Sequence, residues 1–441
     1  MKFYNREHEI AKLREVRELS YNDHSRLTVV TGRRRIGKTS LISKAFDDEA
    51  FIYLFVGRKN EASLCANYCK EISSKLNIFV PTITSFQELF VFLMQQGETM
   101  KFTLVIDEFQ EFFNINQSVY SDIQNYWDQY RLKTHVNFVV CGSVYSLMTK
   151  IFKHYHEPLF GRADVMLKLN PFSIEVLKQI MADNSSSYTN DDLLALYMVT
   201  GGVPKYVELL VDANALTVQK TIHMVCEADS PFKDEGKNLL VDEFGKQYGT
   251  YFTILDAISN GINTQSEIAA SLGEKSIGGQ LKKLDETYEI IKKRRPILAK
   301  KGSQTVRYEI SDLFLLFWFR YFEGNRNLIE MNQYEVLEKI ILTDYTTYSG
   351  KVLEQYFKQM FIERHEYRDM GSYWEAKKGK EQYEIDIVAL RLTKDEAVAV
   401  EVKRQRKEFK PELFAKKVQH LKDKVLPKYN IEQMCLTLDD M

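Results

Sequence analysis

Ten consecutive residues could do the most chemistry in this chain: Thr31-Gly32-Arg33-Arg34-Arg35-Ile36-Gly37-Lys38-Thr39-Ser40, spaced as GxxxxGK[ST]. Gly32 and Gly37 let the backbone curl so that successive N–H groups, through Arg33, Arg34, Arg35 and Ile36, point at a chain of phosphates. Lys38 is placed to reach the β and γ oxygens, and the Thr39 hydroxyl to join a Mg²⁺ shell. The helix expected from Thr39 to about Phe46, with Ser40 in its first turn, presents its positive end to the same anion. Leu27-Thr28-Val29-Val30 just upstream is the apolar, β-branched run of a buried parallel strand. ATP with Mg²⁺ is the expected ligand.

A second group of candidates needs a second strand. Leu104-Val105-Ile106 delivers Asp107 and Glu108 to a strand end, where Asp107 would hold the Mg²⁺ shell and Glu108 would polarise an attacking water. Taken alone, two acids after a strand are also a solvated loop start. The strand at 137–141 delivers Gly142-Ser143 to the same edge, where the serine could bond the γ-phosphate or the lytic water, or simply form a turn. Arg162, in Leu159-Phe160-Gly161-Arg162, could stabilise transition-state charge in cis or across a subunit interface. Its alternative is a surface arginine.

A third group lies near the C-terminus, on two strands at 383–392 and 397–405 separated by Thr393-Lys394-Asp395-Glu396. With Lys394-Asp395 as the turn, Asp386 falls opposite Lys403, and Glu401 shares their face. The same register sets Ile385, Ile387 and Ala389 against Arg404, Val402 and Val400 on a mostly apolar face. Asp386, Glu401 and Lys403 then form a D…ExK constellation, two acids for a hard divalent metal and a lysine for water beside it, with Glu354 of the preceding helix available to complete it. The alternative is a charged outer hairpin face.

These groups must be carried by several domains, since 441 residues suggest roughly two to four. Strands at 51–56, 102–106, 137–141 and 165–169, with helices such as 86–94 and 123–132 between them, give the α/β pattern of a doubly wound parallel sheet. Residues 251–310 read as three helices and a two-stranded wing, the order of a winged helix-turn-helix. Its second helix opens on a Thr264…Glu267 capping box, and Lys300-Lys301-Gly302-Ser303 forms the wing tip. Between Lys275 and Arg307 ten Lys or Arg face three acids, inside a chain whose net charge is −1. Such a patch can neutralise nucleic-acid phosphates, although winged helices also serve as protein-contact or autoinhibitory modules. The aromatic run 313–321 reads as a core helix. The five cysteines lack a CxxC spacing and indicate neither a disulfide framework nor a zinc site. The charged N-terminus and the absence of a roughly 20-residue apolar run lead us to expect a cytoplasmic protein with no membrane span.

The ordered set Phe3-Tyr4-Asn5-Arg6-Glu7, the arginine-rich phosphate loop, Ile106-Asp107-Glu108-Phe109-Gln110, Cys141-Gly142-Ser143, Phe160-Gly161-Arg162 and Gly201-Gly202-Val203-Pro204 resembles the archaeal-type ATPase family. That family belongs to the AAA+/STAND branch of P-loop NTPases, and the resemblance spans about 1–230. It implies a sensor role for Ser143 and adenine contacts for Arg6, Glu7 and Pro204. One departure is Asn5, where the family usually has glycine, and Gly201-Gly202 with Pro204 would also suit a plain turn. The hairpin at 383–405 resembles the PD-(D/E)xK nuclease superfamily, whose fold often ends proteins of this type.

The expected architecture is therefore α/β: a P-loop ATPase core at 1–172, a helical lid at 173–245, a winged helix-turn-helix at 246–311, a helical connector at 312–344, and a restriction-endonuclease-like domain at 345–441. The expected function is ATP binding and hydrolysis controlling a DNA-binding C-terminal half, with DNA cleavage by that half, and a homo-oligomer or a protein partner, left open. A nucleotide-gated scaffold or a transcription regulator with an inactive nuclease-like domain is the alternative.

Overall fold

The β-branched runs between 26 and 168 assemble into one sheet in the computed structural model, which describes residues 1–49, 51–245, 248–300, 302, 305–375 and 383–441. The chain divides into two units, Tyr4–Pro171 and Phe172–Met441 with Met1–Phe3. The first contains α1 (Glu7–Asn22), β1 (Arg26–Thr31), α2 (Lys38–Ala45), β2 (Ile52–Phe55), α3 (Glu61–Leu76), α4 (Phe86–Gln96), β3 (Lys101–Asp107), α5 (Phe112–Ile115), α6 (Ser118–Tyr130), β4 (His135–Gly142), α7 (Tyr145–Lys153) and β5 (Val165–Lys168).

The strands run β2-β3-β4-β1-β5, every neighbouring pair parallel. A parallel sheet needs cover on both faces, and alternate residues of each strand supply it. Leu27, Val29, Leu104, Ile106 and Phe138 pack with Ile72, Phe86, Leu93 and Trp127 on one side. Val30, Val105 and Val139 pack with Leu13, Leu41 and Ile42 on the other. Each such buried Leu or Phe contributes about 1.5–3 kcal/mol, so the two-sided core fixes the strand ends. Because the strands are parallel, β1, β3 and β4 deliver Gly32, Asp107 and Gly142 to one edge.

In the second unit five helices come first: α8 (Ile174–Asn184), α9 (Asn190–Thr200), α10 (Pro204–Asp212), α11 (Val218–Cys226) and α12 (Phe232–Phe244). Then follow α13 (Tyr248–Ser259), α14 (Gln265–Ser271), α15 (Gly278–Lys282), β6 (Ile291–Arg294) and β7 (Arg307–Ile310). The Thr264–Glu267 capping box is present at α14. The third helix of the expected winged helix-turn-helix is short: α15 covers five residues and gives way to a π turn over Lys283–Thr287. Gly278 and Gly279 open it, and glycine weakens a helix by about 1 kcal/mol relative to alanine. β6 and β7 pair antiparallel from Ile291↔Ile310 to Arg294↔Arg307. At the expected wing tip, Lys301 and Ser303 lie outside the described residues.

The remainder comprises α16 (Leu313–Trp318), α17 (Arg326–Glu330), α18 (Tyr334–Glu363), β8 (Tyr367–Trp374), β9 (Glu384–Arg391), β10 (Glu396–Val402), α19 (Pro411–Lys424) and β11 (Asn430–Leu436). The aromatic α16 is core, with Phe314, Phe317 and Trp318 fully buried. α18 runs 30 residues without a break, through the position where the connector was expected to end. The C-terminal sheet is ordered β11-β10-β9-β8, with β10 and β11 parallel and the other pairs antiparallel.

The β9–β10 register differs from the expected one by two residues: Ile387 pairs with Val400 and Leu390 with Ala397. The connection is a four-residue loop rather than a two-residue turn, closed by a Thr393 hydroxyl bond to Glu396 at 2.6 Å and by Asp395 in the left-handed region at φ 60°. Asp386 therefore does not face Lys403; continuing the register sets it at Glu401. A shift of two keeps every side chain on its face, so Asp386 and Glu401 still share one.

Candidate functional site

Gly37 sits at φ 89° as the N-cap of α2, with no atom within 4 Å of where a Cβ would stand. That left-handed backbone favours glycine and leaves the mouth of the loop open. Lys38 is buried and folds over the loop, its Nζ donating to the carbonyls of Gly32 at 2.8 Å and Arg33 at 3.1 Å. Arg34 and Ser40 are exposed, Arg33 and Arg35 half-buried, and Ile36 anchors the loop in the core.

The β3 end meets this loop through Thr39, whose Oγ1 lies 3.3 Å from Asp107 Oδ2. The same carboxylate oxygen accepts the Tyr53 hydroxyl, while Oδ1 accepts Glu108 N–H at 2.8 Å and the Cys141 thiol at 3.0 Å. Burial, then the Asp107 carboxylate, pushes both the Tyr53 phenol and the Cys141 thiol up, so both stay protonated as donors. A Thr hydroxyl and an anchored carboxylate beside an open anion loop suit a magnesium–phosphate ligand.

Glu108 takes a left-handed backbone at φ 53°, a conformation rare outside glycine, asparagine and aspartate. Its Oε2 accepts Ser143 Oγ at 2.8 Å and Gln110 Nε2. Gln110 is fully buried, and a Cβ on Gly142 would stand 2.1 Å from its Oε1. A side chain at 142 would therefore displace the Gln110 amide and the Met148 thioether. Spacing along the chain pointed to Lys38, Thr39, Asp107, Glu108 and Ser143. It gave no role to Tyr53 or Gln110, although Gln110 stands in the Ile106–Gln110 run.

Arg162 donates to Asp128 on α6 at 2.7 Å and to the Pro158 carbonyl at 2.8 Å. Arg6 is buried, bonded to Glu9 and to the Asn170 carbonyl at 2.6 Å, and Glu7 opens α1. Asn5, at φ 57°, adopts the left-handed conformation that glycine also favours, and asparagine tolerates it better than most residues. Pro204 is the first residue of α10 in the second unit, after Gly201 and Gly202, both at positive φ.

On the C-terminal face, Asp386 Oδ2 accepts Val402 N–H at 2.7 Å, and Glu401 is gripped by Lys403 at 3.0 Å and by Lys417 of α19 at 3.1 Å. Burial, then the nearby Asp386 charge, raises Glu354 to about 7, and burial likewise raises Asp386. Burial works against the Lys403 ammonium, but Glu401, Asp386 and Glu354 outweigh it and its pKa is raised. Asp386, Glu401, Lys403 and Glu354 thus act on one another electrostatically. Among the described residues, no group of three His, Cys, Asp or Glu is arranged to hold a metal ion. Lys417 was not foreseen, since α19 enters the face from beyond the hairpin.

Residues 3–210 match an ATPase domain found predominantly in Archaea, and residues 318–414 match a second group described as archaeal and bacterial proteins of unknown function. An uncharacterized protein of Methanocaldococcus jannaschii is 30% identical over 414 residues, covering 91% of this chain and 87% of its own. The chain belongs to this archaeal ATPase family. An uncharacterized ATP-binding protein of the same organism is 25% identical over 345 residues, covering 67% of this chain and 90% of that one. Among solved structures, a Walker-type ATPase of Pyrococcus abyssi superposes with a TM-score of 0.54 at 22% identity, over 72% of this chain and 96% of that one. The five-stranded parallel sheet is thus that of P-loop ATPases, and the phosphate loop lies inside the family's ATPase domain. Among the described residues, no helix is long and apolar enough to cross a membrane.

Proposed function

We propose that the chain hydrolyses ATP at the phosphate loop and uses its nucleotide state to control a nucleic-acid-facing C-terminal half. The observation that carries the ATPase reading is the chain of direct hydrogen bonds joining Thr39, Asp107, Glu108 and Ser143 along one sheet edge, beside a phosphate loop over which Lys38 folds. Loop N–H groups and Lys38 bind the phosphates, Thr39 and Asp107 hold magnesium, Glu108 orients and deprotonates water, and Ser143 senses the γ-phosphate. Magnesium, when bound, neutralises charge on the β and γ phosphates. By the family resemblance Arg6 and Glu7 are assigned to the adenine side. Arg162 needs release from Asp128 before it can serve as an arginine finger.

In the second unit we assign α13–α15 with β6–β7 to a winged helix and β8–β11 with α18–α19 to a nuclease-like fold. The basic stretch 275–307 supports contact with DNA phosphates. Asp386, Glu401 and Glu354 are the candidate metal ligands and Lys403 the water-activating group, a role that requires these side chains to move, since among the described residues no three such groups are arranged to hold a metal as they stand. A second reading, an inactive nuclease-like scaffold gated by nucleotide, is favoured by the grip of Lys403 and Lys417 on Glu401.

DNA cleavage with Mg²⁺ or Mn²⁺, with and without ATP, separates the two. Cleavage lost in Asp386→Ala and dependent on Lys38 supports the enzyme; ATP turnover with intact DNA under every condition supports the scaffold. Absence of ATP binding would overturn both.

A further inference from the structure

A cavity of about 520 Å³ opens in the second unit between the β6–β7 hairpin and α18. The hairpin contributes Lys292, Arg294 and Arg307, and α18 contributes Lys351, Glu354 and Lys358. The three α18 residues are three and four positions apart and so share one helix face. With Arg320, which is itself paired with Asp344 at 2.7 Å, six cationic side chains line the cavity against three carboxylates, Glu309, Glu354 and Glu384, leaving the charges of Lys292, Lys351 and Lys358 as the surplus over Glu354. Two of the carboxylates are taken up by arginines: Arg307–Glu384 at 2.7 Å and Arg294–Glu309 at 3.2 Å. The third, Glu354, is the residue by which the cavity adjoins Asp386, and Lys358 acts on both carboxyls.

The surplus of positive charge in a concave site focuses attraction for an anion, and the volume lies within the range of about 300–1,000 Å³ usual for small-ligand sites. A separate observation points to a ligand. Tyr348 lines the cavity at 3% exposure, and among the described residues its hydroxyl has no hydrogen-bond partner. A buried phenol hydroxyl without a partner is destabilising unless something bonds to it.

We propose that this cavity binds a nucleotide phosphate, either of a free nucleotide or of the end of a nucleic-acid strand directed toward the Asp386 and Glu401 carboxylates. The strand source rests on the nucleic-acid reading above; the free-nucleotide source does not. The lysines and arginines take the phosphate, and the Tyr348 hydroxyl, closed off from solvent in the free protein, turns toward the cavity to donate to one of its oxygens.

The test uses the full chain carrying Lys38→Ala, so that the phosphate loop is silent. Binding of a fluorescent, 5′-phosphorylated single-stranded oligonucleotide and of ADP is measured at fixed salt. The site variant is Lys351→Glu with Lys358→Glu, and the comparison variant is Lys275→Glu with Lys283→Glu outside the cavity. Tyr348→Phe keeps the ring and settles the matter if the charge reversals disturb folding. We expect the site variant to weaken binding at least about tenfold and Tyr348→Phe about three- to tenfold, with the comparison variant within about threefold for ADP. Loss of strand binding only in the comparison variant would overturn the cavity and leave the nucleic-acid reading standing. ADP binding that needs Lys351 and Lys358, with no strand binding by the parent, would support the cavity and count against the nucleic-acid reading. Failure of the parent to bind either probe would overturn the cavity.

Discussion

Ser143 and Gln110 both donate to Glu108 Oε2, so the base proposed for the hydrolytic water is tied to the β4 end and to the buried turn after β3. Removing its charge without its shape should leave binding intact: Glu108→Gln is expected to bind ATP within about threefold of wild type while phosphate release falls about 10²-fold or more. Unchanged turnover would take the base role from Glu108. Another carboxylate gives a pH signature. Burial works against the Glu375 anion, but hydrogen bonds from Tyr373, His420 and Lys424 outweigh it and lower its pKa from 4.5 to about 2. The folded state therefore holds fewer protons than the unfolded one between these values. The stabilisation is complete above pH 4.5 and lost as pH falls toward 2. Discounted for its partial exposure, Glu375→Gln should cost about 1–2 kcal/mol at pH 7 and little near pH 2, read by denaturant unfolding of the C-terminal sheet. An equal cost at both pH values would contradict the sign. The phosphate-loop residues were legible in sequence because their work is local: one loop holds them at fixed spacing. Tyr53 and Gln110 were not, because each reaches the site through strand pairing or a buried turn that spacing does not encode.

At the scale of elements, the strands of the first unit could be read because parallel strands covered on both faces leave long apolar runs. The C-terminal hairpin was read with the correct faces and the wrong pairing. Alternation fixes the face, whereas register depends on loop geometry, and Leu392-Thr393-Lys394-Asp395 does not declare a four-residue loop. Two tertiary ties were also invisible. Arg404, just after β10, bonds Asp191 at the start of α9 through two contacts of 2.9 and 3.0 Å, and Tyr345 of α18 donates to the same carboxylate at 2.7 Å. Arg404 is largely buried there. Arg404→Ala leaves Asp191 without its ion-pair partner and should cost about 3 kcal/mol. Amide exchange in α9 and β10 should then speed about 100-fold, since each 1.4 kcal/mol is a factor of ten. Unaltered exchange in both elements would show that the ion pair holds nothing.

On the scale of the whole molecule, charge is distributed rather than abundant: 60 basic and 61 acidic side chains nearly cancel, yet ten of the basic ones fall between Lys275 and Arg307. Contact with nucleic acid through that stretch should be steeply salt-dependent, because each neutralised phosphate releases counterion. The central proposal is that nucleotide at the phosphate loop controls this contact, and a ligand shifts such an equilibrium only by its differential affinity for the two states. The most direct measurement is the DNA affinity of the full chain at one fixed salt concentration, with ATP, with ADP and with no nucleotide, in wild type and Lys38→Ala. We expect the affinity to differ at least about tenfold between two of the three states, a coupling of about 1.4 kcal/mol, and the difference to vanish in Lys38→Ala. Equal affinity in all three states of the wild type would contradict nucleotide control.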